Sequence, residues 1–212
     1  ENGWNVKALF KQMLMSGTYR QAAMTTPEKL EKDPDNRWLS RGPRFRMAAE
    51  MVRDYALTTS GLLSSKMYGP SVKPYQPEDI WNIVGLPSGN TRDYVQDQGE
   101  QLYRRSVYTF WKRMAPPPKL EAFNAPSREV CTVRRERTNT PLQALVTLND
   151  PLFVEAARHL AENALQTAGI ADASILQHMA RAALGRTLQP AEQSILLEDQ
   201  LAYIEYYRSD PT

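Results

Sequence analysis

Between Arg104 and Asp150 the chain reads RRSVYTFWKRMAPPPKLEAFNAPSREVCTVRRERTNTPLQALVTLND. The three prolines at 116–118 bar a continuous helix, because proline has no N–H to donate and its ring clashes with the preceding turn. The aromatics Tyr108, Phe110 and Trp111 make the stretch too apolar for a disordered tail. The segment therefore has to be irregular yet packed. A clean helix start follows it. Thr140-Pro141-Leu142-Gln143 spells a capping box with proline at the first helical position.

Most of the remaining punctuation is helical. Trp4, Ala8, Leu14 and Met15 fall near i, i+4 spacing, with Val6, Leu9, Phe10 and Met13 widening the stripe, so Trp4–Met15 reads as an amphipathic helix ended by Gly17. Thr26-Pro27-Glu28 opens a short helix that stops before Asp33-Pro34, and DPDNRWLSRG over 33–42 reads as a structured loop. Pro43 to about Thr59 is expected to be a helix. Phe45, Ala48, Ala49, Val52, Ala56 and Leu57 would form its inner stripe, with Arg46, Glu50, Arg53 and Asp54 on the other side. Three prolines keep 66–77 extended. A single turn is expected over Glu78–Val84, then a long loop over 85–101. Leu102–Phe110 alternates and favours a strand, with Thr91–Val95 or Val130–Val133 as its partner.

After Thr140 the pattern is three helices. Asp150 interrupts and recaps the first. Leu152, Phe153, Ala156, Ala157, Leu160, Ala164 and Leu165 form an apolar face up to Gly169, Asp172 caps a helix ending at Gly185, and Pro190 begins the last, with Ile195, Leu197, Leu201 and Ile204 inward. Short connections make these helices antiparallel neighbours. The expected fold is mainly α, a helical bundle-like domain with a small β-hairpin or short antiparallel sheet inserted around 90–135. One domain over 1–212 is expected. It comprises N-terminal helices and a Pro-rich loop (1–85), a loop/β insert (86–139) and C-terminal helices (140–212) packed on the Pro43–Thr59 helix. No signal peptide opens the chain, and its start at Glu1 without a methionine reads as a fragment of a larger protein.

Composition narrows the chemistry. Of 212 residues 42% are apolar and 24% charged, as in ordinary globular chains, and mean hydropathy is −0.55. No stretch approaches the roughly 20 apolar residues of a membrane span. One cysteine, Cys131, permits no internal disulfide, and its VCTV setting reads as a buried small residue. No C-x-x-C-H is present, so this chain attaches no c-type haem, and one cysteine with two histidines makes no ordinary zinc site. No G-x-S-x-G elbow supports a serine hydrolase. Asp93, Asp97, Glu100, Asp54 and Asp150 show no spacing that sets up a glycosidase pair. Glu155 and His159, one turn apart, read as a surface pair. No catalytic residue is assigned.

Charge is unevenly spread. Arg104–Arg137 holds nine Lys/Arg and three Glu, a net of +6 in a chain of net +2. Within it Arg128, Arg134, Arg135 and Arg137 precede the helix start at Thr140. Guanidinium forks suit carboxylate, sulfate or phosphate, and a helix N-terminus adds aligned N–H groups, so the five residues are candidate anion ligands. The alternative is that these arginines pair with Glu129, Glu136 and other acids and brace the loop. Tyr108 and Trp111 are candidates for aromatic contact with a sugar ring, against the alternative that they fill the core.

The words DPDNRWLSRGPRFRMAAEMVRDYAL, SVKPYQP, RDYVQDQGEQLYRRSVYTFWKR, APPPKLEAFNAPSREVCTVRRERTNTPLQALVTLNDPLFVEAARHLA and ALGRTL, in this order, resemble the Planctomycete surface domain, and the likeness spans nearly the whole chain. The resemblance implies the C-terminal domain of a large secreted protein and an extracytoplasmic location. It also implies partner domains upstream in the same polypeptide, a cytochrome-c-like domain that would carry c-type haem among them. The family has no assigned activity and carries no catalytic residues over. The resulting expectation is a non-catalytic interaction or scaffolding module of a cell-surface protein, binding anionic polysaccharide through the arginine loop. Two alternatives stand beside it: part of a polysaccharide-active enzyme completed by upstream domains, and a docking partner of the haem domain. Nucleic acid is disfavoured, since no recognition motif accompanies the charge.

Overall fold

The computed structural model describes residues 3–84, 92–169 and 171–209. Backbone contacts divide the chain into two units, Glu1–Arg46 and Met47–Thr212.

In the first unit α1 (Val6–Leu14) starts where the Asn5 side chain accepts the Ala8 N–H at 3.0 Å. α2 (Pro27–Lys32) starts at Thr26, whose hydroxyl accepts the Lys29 N–H at 3.3 Å. The loop after it is built by its own polar side chains, as its composition predicts. The buried Asp33 carboxylate accepts the N–H groups of Arg37 (2.7 Å) and Trp38 (3.1 Å), while Arg41 donates to the carbonyls of Asp33 (2.8 Å) and Pro34 (2.7 Å). Asn36 clasps the Arg41 backbone from both sides, donating at 2.8 Å and accepting at 3.2 Å. The apolar stripe of α1 buries nothing within this unit.

The second unit is helical: α3 (Ala49–Thr59), α4 (Ile80–Val84), α5 (Pro118–Ala122), α6 (Pro141–Asn149), α7 (Pro151–Thr167), α8 (Asp172–Leu184) and α9 (Pro190–Ser209). α3 is the hub, packing on α5 and α7, and α6, α7, α8 and α9 follow as consecutive neighbours. Leu57, Val72, Trp81, Leu120, Leu152 and Ala164 are buried at its centre. The mainly α class expected from periodicity holds; of the C-terminal helices expected against α3, α7 packs on it and Tyr55 of α3 donates to the Ala183 carbonyl of α8 at 3.0 Å. Asp150 recaps the chain between α6 and α7 as predicted, accepting the Leu152 N–H at 3.0 Å. It also takes Lys119 Nζ at 2.7 Å, a buried pair that local spacing could not show.

Asp172, expected to cap α8, is instead its first residue, preceded by Ala171 with no side-chain cap bond. Three larger expectations are corrected. The helix expected from Pro43 begins at Ala49, after Ala48 in extended geometry. Phe45 and Met47 are exposed, so their apolar surface is not buried as an inner helical stripe would be, and short helices hold chiefly by burying such a stripe. The strand expected over Leu102–Phe110 is instead two 3-10 turns, Gly99–Tyr103 and Ser106–Tyr108. Three of its backbone groups are taken by side chains of α3. Arg53 donates to the carbonyls of Leu102 (2.7 Å) and Arg104 (2.7 Å), and Asp54 accepts the Ser106 N–H (2.8 Å) and hydroxyl (2.7 Å). What remains of the hairpin or short sheet expected around 90–135 is, among the described residues, two isolated bridges, Val72 with Thr109 and Lys112 with Ala115. Of the two expected strand partners, Val130–Val133 lies exposed in a loop, and Thr91 of Thr91–Val95 lies outside the described residues, as does 85–91 of the loop expected over 85–101. The third correction concerns α9, in which Ile195 and Leu201 are exposed and no residue is buried. Its apolar residues run around the helix, from Ile195, Leu196 and Leu197 to Tyr206 and Tyr207, and so define no single inward stripe.

Candidate anion-binding surface

The arginine loop is a strap pinned at both ends. At its foot Asn124, in left-handed backbone geometry (φ 62), offers its side-chain oxygen to the Thr138 hydroxyl (2.8 Å) and to Gln143 Nε2 (3.2 Å). Gln143 Nε2 also reaches the Ala122 carbonyl (3.0 Å) and Thr138 Oγ1 (3.1 Å). Gln143 is at the same time the third residue of α6. Its Oε1 accepts the Thr140 N–H and its N–H reaches Thr140 Oγ1, both at 3.4 Å, completing the capping box read from the sequence. One buried glutamine thus caps a helix and closes the neck of the loop. Residues 127–137 between these anchors are exposed throughout.

Two contacts hold the strap along its length. Trp111 Nε1 donates to the Ser127 carbonyl at 3.0 Å, and the Arg128 guanidinium lies over the Trp111 ring, 4.4 Å from its centre. Farther on, Arg135 meets Glu50 of α3 at 2.6 Å. Partial burial pushes the Glu50 carboxyl up, but the Arg135 hydrogen bond and the nearby Arg128 charge outweigh this and hold it below the usual carboxylate range. Arg134, Arg135, Glu136, Arg137 and Thr138 line one cleft of about 670 Å³. Three of the four predicted arginines therefore border one cleft. Arg128 stands at Trp111, and the Thr140 side chain is engaged in capping α6.

The two aromatic candidates are separate. Trp111 supports the strap. The Tyr108 hydroxyl accepts the Tyr68 N–H at 2.7 Å, and its ring lies 3.9 Å beneath the Arg104 guanidinium. Cys131, expected to be buried, is exposed on the strap, because the VCTV stretch finds no strand partner there. Glu155, expected to pair with His159, instead accepts the Tyr103 hydroxyl at 2.7 Å, while His159 faces Glu162 at 3.6 Å.

Sequence reasoning missed Arg53, Asp54 and Arg104 as framework and Glu50 as the strap's counter-charge. Arg53 is 2% exposed and Arg104 1%. Arg104 donates to the carbonyls of Pro70 (3.1 Å) and Tyr68. No local signal marks these residues, since Arg53 and Glu50 reach partners 49 to 85 positions away.

Among the described residues no group of three or more His, Cys, Asp or Glu side chains is placed to hold a metal ion, and no helix is long and apolar enough to cross a membrane. Neither the curated proteins nor the solved structures contain a match to the chain. Over residues 1–199 it matches PSD1, described as a protein of unknown function (DUF1553), and the chain therefore belongs to that family.

Proposed function

We propose that this chain is a non-catalytic interaction module that binds an anionic polysaccharide along the arginine strap, in an extracytoplasmic multidomain protein. The observation that carries the reading is that Arg134, Arg135 and Arg137 border one open cleft of about 670 Å³. Glu50 holds Arg135 from below at 2.6 Å and so orients it. Stacking on Trp111 engages the face of the Arg128 guanidinium and leaves its N–H edge for a sulfate or carboxylate. An exposed strap suits a long polyanion better than a small metabolite, because such a ligand is gripped by repeated charge contacts at a surface.

The test is a thermal-shift series with a sulfated, a carboxylated and a neutral glycan at two salt concentrations, on the wild type and on Arg134→Ala/Arg135→Ala/Arg137→Ala. Stabilisation by the charged glycans that weakens with salt and disappears in the triple variant is expected. Equal shifts in wild type and variant would sink the reading.

A further inference from the structure

A second concavity in the same unit, of about 400 Å³, shares no lining residue with the strap. Gln76, Asp79, Trp81, Asn82, Asp93 and Tyr94 shape it. Its volume lies within the roughly 300–1,000 Å³ usual for small-molecule sites. Trp81 is only 2% exposed and is fixed by its neighbours: Tyr94 meets it edge-on at 4.9 Å and Phe110 at 5.4 Å, while Lys73 and Lys112 lie over the ring at 5.4 and 4.8 Å. Trp81 Nε1 and Gln76 Nε2 are buried, and neither has a hydrogen-bond partner among the described residues. Burying donors without acceptors is unfavourable, and Trp81 and Gln76 both line this cleft. At the rim Asp79 and Asp93 are exposed acceptors, and Asn82 fixes Asp79 by donating to its carboxylate at 2.9 Å.

The polarity of the cleft selects its ligand. An anion would satisfy the two buried donors but meet carboxylates at the rim. A simple cation would satisfy the rim and leave the donors unpaired. A polyhydroxylated ring does both, because each hydroxyl is donor and acceptor at once. The two lysines over the Trp81 ring leave its N–H edge, rather than its face, as the recognition element. We propose that this cleft binds one residue of an uncharged sugar, with Trp81 Nε1 and Gln76 Nε2 donating to ring or hydroxyl oxygens and Asp79 and Asp93 accepting from outer hydroxyls. The proposal stands apart from the arginine strap and needs no charge on the ligand.

The experiment is a ¹H–¹⁵N correlation titration of the whole chain with cellobiose, mannobiose and chitobiose, following the indole N–H signals of the four tryptophans. The Trp81 signal, identified by its loss in Trp81→Phe, is expected to move with at least one of them. Trp81→Phe keeps an aromatic ring in the core and removes the donor, so binding read at other signals should weaken about tenfold. Asp93→Ala, at an exposed position, should weaken it comparably and covers the case in which the core variant misfolds. The triple arginine variant should bind these sugars as the wild type does, which separates this site from the strap. A Trp81 signal that none of the three disaccharides moves, or binding undiminished in both variants, overturns the proposal.

Discussion

Arg53 and Arg104 on one side, and Arg128, Arg134, Arg135 and Arg137 on the other, show two uses of the same side chain in one unit. The first pair is buried and directs its terminal NH₂ groups at backbone carbonyls: Leu102 and Arg104 for Arg53, Pro70 and Tyr68 for Arg104. Those carbonyls belong to irregular backbone that has no ladder to satisfy it, so the guanidinium forks stand in for secondary structure. The strap arginines lie on the surface, where an aromatic face supports Arg128 and a carboxylate holds Arg135. Arginine in this unit therefore has two settings, one buried among backbone carbonyls and one at the surface.

The sharpest way to break this contrast is Arg53→Met. It fills similar volume but strands the carbonyls of Leu102 and Arg104. A loss of about 3 kcal/mol or more in denaturant unfolding is expected. A loss under about 1 kcal/mol would mean that the buried arginine does not hold the irregular segment.

Glu50→Gln probes the strap from beneath. The Glu50 carboxyl sits below its usual range in the folded state, so its ion pair contributes stability above the unfolded carboxylate pKa and loses it as pH falls through the lower folded value. The wild type should accordingly lose its advantage over Glu50→Gln in acid. The advantage at neutral pH should be below about 1 kcal/mol, because Arg135 is substantially solvated. Parallel pH–stability curves for the two proteins would show that the pair contributes nothing.

Arg134→Ala should have the smallest effect on folding, within about 0.5 kcal/mol in a thermal melt, as for an exposed side chain outside the core. Its effect belongs in the affinity for sulfated or carboxylated glycan and in the salt dependence of that affinity. A variant that melts earlier yet binds the polyanion unchanged would reverse the roles assigned to the two arginine groups.

Much of the helical fold was legible because its signals are local. Asn5 was not picked out, but Thr26, Thr140 and Asp150 cap helices where the sequence placed starts, and Gly185 takes the left-handed geometry that ends α8. The charge of the strap was equally plain. Leu102–Phe110 was misread because alternation predicts a strand only if its backbone is free to pair, and α3 supplies competing partners from 49 to 53 residues away. Arg53 was misread because helical periodicity gives a charged residue no reason to face inward. Its burial depends on carbonyls that only the folded chain brings near.

By itself, then, the sequence determined the helix starts at Thr26, Thr140 and Asp150, the interrupted α6–α7 pair, the proline-broken middle and the concentration of arginine before Thr140, because caps, prolines and charge act within a few residues of themselves. Tertiary structure alone decided which arginines became framework and which remained on the surface. It also decided that Glu50 would sit under Arg135 and that Trp81 and Gln76 would line one cleft. Those outcomes depend on burial and on hydrogen-bond partners distant in the chain, and no local pattern encodes either.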